Sequence, residues 1–114
     1  MIPSKNRLKN SQEIQEIFRV GKSTKSGFLF LRFHHNNLQV TRIAFSIGLN
    51  YSKSAVKRNR IKRLLRLAAK DLLSDLRPGF DIVVYVKNIK HKDVYFESIV
   101  LCLKKSLASA KILK

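Results

Sequence analysis

Acidic side chains are scarce in this chain. Seven Asp and Glu stand against 24 Lys and Arg, a formal charge of +17 over 114 residues. Residues 17–70 hold no acid at all but carry thirteen Lys and Arg. Glu13, Glu16, Asp71, Asp75, Asp81, Asp93 and Glu97 are scattered along the chain. Two-metal hydrolysis needs several carboxylates in one place, and no such group is expected here. Cysteine is nearly missing: Cys102 stands alone, which excludes a disulfide framework and a Cys-based zinc site and fits a reducing cytoplasm. No apolar run approaches the roughly 20 residues that a membrane-spanning helix needs. The stretch Met1 to Arg7 has no apolar core of a signal peptide. There is no P-loop, glycine-rich fingerprint or Ser-His-Asp arrangement. His34-His35 and His91 invite an acid–base reading, but neighbouring residues of a strand point to opposite faces, so His34 and His35 cannot serve one site. Neither catalytic residues nor metal ligands are expected in the chain.

What is present points to one domain, residues 1–114, with 45% hydrophobic residues to build a single core. A charge this large repels itself in a compact body. A polyanion is the natural partner, with nucleic acid first and an anionic membrane second.

The elements follow from punctuation and period. Asn10 or Ser11 caps a first helix with Glu13 in its first turn, Ile14, Ile17 and Phe18 on one face, and Gly21 at its end. Lys22 to Gly27 reads as a polar loop. Phe28 to Phe33 is short, aromatic and apolar, which predicts a strand. Asn36-Asn37 marks a turn, and Val40 to Ile47 predicts a second strand with Ile43, Phe45 and Ile47 on one face. Gly48 to Lys53 connects to a basic helix over about 55–76, capped by Ser52 or Ser54 and stopped by Arg77-Pro78-Gly79. Phe80 to Val86 is apolar at nearly every position, as expected of a central strand covered on both faces. Asp93 caps a last helix with Phe96, Ile99, Val100, Leu103, Leu107 and Ala110 at helical spacing. The order is α-β-β-α-β-α, with one more strand possible from splitting 28–47. The fold class is α+β, a sandwich of helices on a mostly four-stranded sheet.

Six of the ten residues from Lys57 to Arg66 are basic, and four of the six are Arg. On a helical wheel Ile61, Leu64, Leu65, Ala68, Leu72 and Leu76 form a core stripe. Arg60, Lys62, Arg63, Arg66 and Lys70 take the opposite arc with Asn59 among them, and Lys57 and Arg58 flank the first turn. The cations crowd the early part of the helix, and Asp71 and Asp75 come late, against the helix dipole. No Glu stands four residues before any cation of the run to relieve repulsion. The last helix obeys the dipole, with Asp93 and Glu97 early and Lys104, Lys105 and Lys111 late. A helix charged backwards with one sign reads as a nucleic-acid surface rather than a merely solvated face. Arg supplies planar forks that bind phosphate bidentately and stack on bases.

The run Arg58-Asn59-Arg60-Ile61-Lys62-Arg63-Leu64-Leu65-Arg66 resembles the signature helix of the bacterial ribonuclease P protein subunit, R-N-R-x-K-R-x-x-R, and Ala55-Val56 before it also matches. Arg7-Leu8-Lys9, Phe18 followed by Gly21, and Gly79-Phe80-Asp81-Ile82-Val83-Val84 resemble other parts of that family. The resemblance implies the ribosomal protein S5 domain 2-like fold with a left-handed β-α-β crossover around the signature helix. It implies a cytoplasmic protein that binds a catalytic RNA and precursor tRNA and supports endonucleolytic removal of the 5′ leader. Magnesium would then be held mainly by the RNA, and no obligate protein partner is evident. Lys57, Arg58, Asn59, Arg60, Lys62, Arg63, Arg66 and Lys70 would face the catalytic RNA. A leader cleft would involve Phe18, with Ile14 where the family usually has an aromatic residue. Phe28 and Phe30 would either line that cleft or belong to the core. The loop Asn50-Tyr51-Ser52-Lys53-Ser54 lacks the usual Lys pair and Gly, and Leu67 replaces a frequent Glu. Two other readings compete: a non-catalytic, ribosomal-protein-like RNA-binding module, and a DNA-binding protein laying the basic helix in a major groove.

Overall fold

The computed structural model describes residues 2–47, 52–86 and 95–114. Helix α1 spans Ser11–Val20 and strand β1 Lys22–Ser26. Strands β2 and β3 are Leu29–His35 and Arg42–Ser46. Helix α2 covers Ala55–Leu72, strand β4 Phe80–Val86 and helix α3 Phe96–Ser109. The sheet order is β1-β2-β4-β3. β4 pairs antiparallel with β2 and parallel with β3. Because α2 joins those parallel neighbours in sequence, it forms the helix of a β-α-β crossover.

One face of the sheet carries the main core. Leu29, Leu31 and Phe33 of β2, Ile82, Val84 and Val86 of β4, and Ile43 of β3 meet Ile61, Leu65, Ala68 and Leu72 of α2 and Ile99, Leu103 and Leu107 of α3. The α2 stripe read from the sequence is therefore the buried face, and at Leu65 and Ile61 exposure is 0%. The opposite face carries a smaller core, in which Ile17 of α1 packs with Leu8, Ala44 and Val83, and Ile14 leans against it. β4 is thus covered on both faces, as its unbroken apolar run anticipates.

The fourth strand does not come from dividing 28–47. It is β1, the segment Lys22 to Ser26 expected as a loop. Lys-Ser-Thr-Lys-Ser has no apolar alternation because β1 is an edge strand held mostly by its backbone ladder to β2. One side chain does turn inward: the Thr24 hydroxyl donates to the Ser106 carbonyl of α3 at 3.1 Å. Ser26 pairs with Leu29, which leaves Gly27 and Phe28 as a two-residue hairpin loop, and Gly27 takes φ +57°.

The caps follow the sequence in part. The Asn10 side chain accepts from the N–H groups of Gln12 and Glu13 at 2.8 and 3.2 Å. Ser54, rather than Ser52, caps α2 by accepting from the Lys57 N–H at 3.3 Å. The α-helix stops at Leu72, and a tighter turn over Leu73–Asp75 completes the basic segment. The expected Asp93 cap, most of the Gly48 to Lys53 connection and His91 lie outside the described residues. Gly21 ends α1 at an ordinary φ of −72°. It is needed for closeness instead, because a Cβ there would sit 2.5 Å from the Ile17 carbonyl oxygen and 2.8 Å from that of Phe33. Among the described residues, no helix is long and apolar enough to cross a membrane.

Candidate nucleic-acid interface

With its apolar stripe turned to the sheet, α2 presents Asn59, Arg60, Arg63, Arg66 and Lys70 to solvent on one side. Lys57 is exposed beside the first turn. Lys62 is half-buried near the packing edge, and so is Arg58, whose guanidinium donates to the Ser52 carbonyl at 2.8 Å. Arg58 therefore also steadies the approach to the helix. The first turn of α2 contains no acid. Among the described residues, no carboxylate lies in ion-pair range of Arg63, Arg66 or Lys70. The positive field along this arc is what a phosphate backbone would neutralise.

A second surface forms where α1 crosses the sheet, and α1 is clamped there at both ends. At its start, Glu13 and Asp81 both pair with Arg42, at 2.9 and 2.6 Å. The Asn36 amide donates to Asp81 at 2.8 Å. Donating to the Asp81 carboxylate drives the Arg42 guanidinium further above its already high range; burial opposes this, and Glu13 adds to it. At the other end of the helix, the Arg32 guanidinium of β2 donates to the Phe18 carbonyl. Farther round α1, exposed Glu16 bonds Arg19, which holds the Glu16 carboxyl below its ordinary range.

Between these clamps lies an aromatic strip. The sheet register aligns Lys25, Phe30, Tyr85 and Ser46 in one row across four strands. Phe30 stacks on Tyr85 with centroids 5.3 Å apart, and the Phe18 ring tilts against Tyr85 at 5.4 Å. The Lys25 ammonium lies 5.5 Å over the Phe30 ring. Phe18 remains 39% exposed, so its ring is available to a ligand. An apolar, π-faced strip with a cation at its margin suits unpaired bases and their phosphates.

Of the residues expected for this strip, Phe18 and Phe30 come together. Phe28 does not: it packs against the main core. Its place in the hairpin loop breaks the alternation that would have put it on the face of Phe30. Ile14 sits one turn back along α1, against the smaller core rather than among the rings. Tyr85 was missed from the sequence. Its one signal was a phenol within the otherwise aliphatic run Val83-Val84-Tyr85-Val86.

The model of the ribonuclease P family matches residues 2–111. The chain belongs to the ribonuclease P protein family. It is 37% identical over 114 residues to the ribonuclease P protein component of Pseudanabaena sp., a match that covers 99% of this chain and 97% of that one. It is 37% identical over 103 residues to the component of Caldanaerobacter subterraneus, covering 88% of each. Its fold is similar to the Staphylococcus aureus ribonuclease P protein, with a TM-score of 0.83, 26% identity and coverage of 96% and 98%. It is also similar to the Thermotoga maritima ribonuclease P protein in complex with 1-(4-fluorophenyl)-2-thiourea, with a TM-score of 0.79, 25% identity and coverage of 87% and 94%. As a ribonuclease P protein it is the protein subunit of a ribonucleoprotein endoribonuclease that matures the 5′ ends of tRNA.

Among the described residues, the carboxylates around α1 are engaged in ion pairs and do not gather into a magnesium site. Glu13 and Asp81 are committed to Arg42 and Glu16 to Arg19. Among the described residues, no group of three or more His, Cys, Asp or Glu could hold a metal ion. His34 and His35 are both exposed at the end of β2, and His35 rests on Phe80 with ring centroids 4.6 Å apart.

Proposed function

We propose that the whole chain, residues 1–114, acts in the cytoplasm as one RNA-binding domain with two working surfaces. The exposed arc of α2 binds the catalytic RNA. Asn59, Arg60, Arg63, Arg66 and Lys70 make its outward contacts, Lys57 and Lys62 extend it, and Arg58 braces its start. The strip of Phe18, Phe30 and Tyr85, with Lys25 at its margin, holds the single-stranded leader of precursor tRNA by stacking. Magnesium belongs to the holoenzyme and is held mainly by the RNA. The protein contributes binding energy and screens the repulsion between two RNAs.

The observation that carries this reading is the exposed cationic arc, built on a helix whose other side is locked into the core. Reconstitution with the cognate catalytic RNA tests it. Adding the protein should raise precursor-tRNA cleavage at low magnesium concentration, and the protein alone should cut nothing. No change in cleavage with the cognate RNA would refute the assignment. Co-purification with ribosomal particles together with indifference to precursor tRNA would favour the ribosomal-type module.

A further inference from the structure

A cleft of about 470 Å³ opens at the outer edge of β3, lined by Ile2, Arg7, Leu8, Lys9, Ile14, Ile43, Ala44, Phe45 and Arg66. It shares no residue with the aromatic strip. Its floor is apolar, and its charged lining is Arg7, Lys9 and Arg66, with no acid among the lining residues. The cleft wraps round the strand: Ile43 and Phe45 belong with the main core, while Ala44 belongs with the small core under α1. Its volume falls within the range of about 300–1,000 Å³ usual for small-ligand sites.

The backbone gives the cleft a reading edge. The Ile43 carbonyl faces outward and accepts from the Leu8 N–H at 3.0 Å. Backbone groups alternate sides along a strand, so the N–H and C=O of Phe45 face outward too, along the cleft. A donor and an acceptor side by side over an apolar floor match the edge of a nucleobase, and the surrounding cations match its phosphates. Arg7 and Lys9 are braced for this role. The Arg7 Nε donates to the Ile2 carbonyl at 2.8 Å and the Lys9 ammonium to the Ser4 hydroxyl at 3.0 Å.

We propose that this cleft is a third RNA subsite, which takes one unpaired nucleotide of the catalytic RNA, base inward and phosphate toward Arg7, Lys9 and Arg66. The source follows from continuity. Arg66 belongs to the α2 arc, and Arg7 and Lys9 extend that same positive surface around the strand edge. The inference rests on the assignment of α2 to the catalytic RNA.

Photocrosslinking tests it, with benzoylphenylalanine in place of Lys9 in the full chain, bound to the cognate catalytic RNA without precursor tRNA. The expected result is crosslinking confined to one or two adjacent unpaired nucleotides of that RNA. Crosslinks spread along helical RNA would overturn the proposal, as would crosslinks formed only after precursor tRNA is added and then to its leader. In parallel, the double variant Arg7→Ala and Lys9→Ala should bind the catalytic RNA about tenfold more weakly and expose the crosslinked nucleotide to chemical modification. The exposed α3 pair Lys104→Ala and Lys105→Ala should change neither. Unchanged affinity and protection in a folded Arg7/Lys9 double variant, with folding checked by circular dichroism, would also overturn it. If the wild-type protein stimulates cleavage while these readouts stay flat, only the third subsite fails. If the wild type neither binds nor stimulates, the broader assignment fails with it.

Discussion

Arg42 shows how one side chain can hold a functional surface in place. It joins Glu13 on α1 to Asp81 on the central strand, and Asp81 is only 7% exposed. Replacing Arg42 with Leu would strand a buried carboxylate without its partner, a defect that typically costs about 3–5 kcal/mol. A urea titration of Arg42→Leu should show that loss, and an unshifted midpoint would mean that the pair is not structural. The same variant frees the start of α1, so stacking of leader bases at Phe18 should weaken as well. The role of Arg42 was not legible in the sequence. Its partners lie 29 and 39 positions away, and no local pattern brings them together.

At the scale of elements, α2 is where sequence and structure agree most closely. A 3.6-residue period, a Ser cap and a Pro-Gly stop are all local signals, so both the buried stripe and the cationic arc could be read in advance. The two sides should respond to mutation in opposite ways. Arg63→Ala should leave thermal stability nearly unchanged and reduce the salt slope of RNA binding by about one unit. Leu65→Ala opens a cavity at a fully buried position and should cost about 2–5 kcal/mol. Equal effects of both variants on stability would mean that the helix phase is wrong. Other elements were harder to read because their cause is not local. β1 is a strand because β2 offers it a ladder and α3 covers its inner face, and neither fact is written in Lys-Ser-Thr-Lys-Ser. Phe28 and Phe30 share a sequence parity but not a face, because Phe28 lies in the hairpin loop and Phe30 on the strand. Tyr85 joined the site only through the register of β4 beside β2.

Across the whole molecule, the positive charge is distributed around the strand edge and the helix arc, while two of the seven acids serve as internal ties. Glu13 and Asp81 hold α1 to the sheet, whereas Asp71, Asp75 and Glu97 are exposed and Glu16 pairs only within α1. In a chain of charge +17, Glu13 and Asp81 supply through Arg42 a fixed link between α1 and the sheet. The recognisable signature run covers one helix, yet both proposed RNA surfaces need the full sheet beneath them.

The strand order β1-β2-β4-β3 also has a consequence for how the protein is made. Of the two interior strands, β4 is also the last of the four strands to leave the ribosome. Until residues 80–86 emerge, β3 has no neighbouring strand and β2 has only β1 beside it. A nascent chain ending at Gly79 should therefore lack the cooperative unfolding transition of the full protein and remain open to protease, however complete α2 is by then. The basic helix is thus synthesised before the structure that will support it. During that interval it is a free polycation among the cell's RNAs, and only the arrival of β4 turns it into a positioned surface.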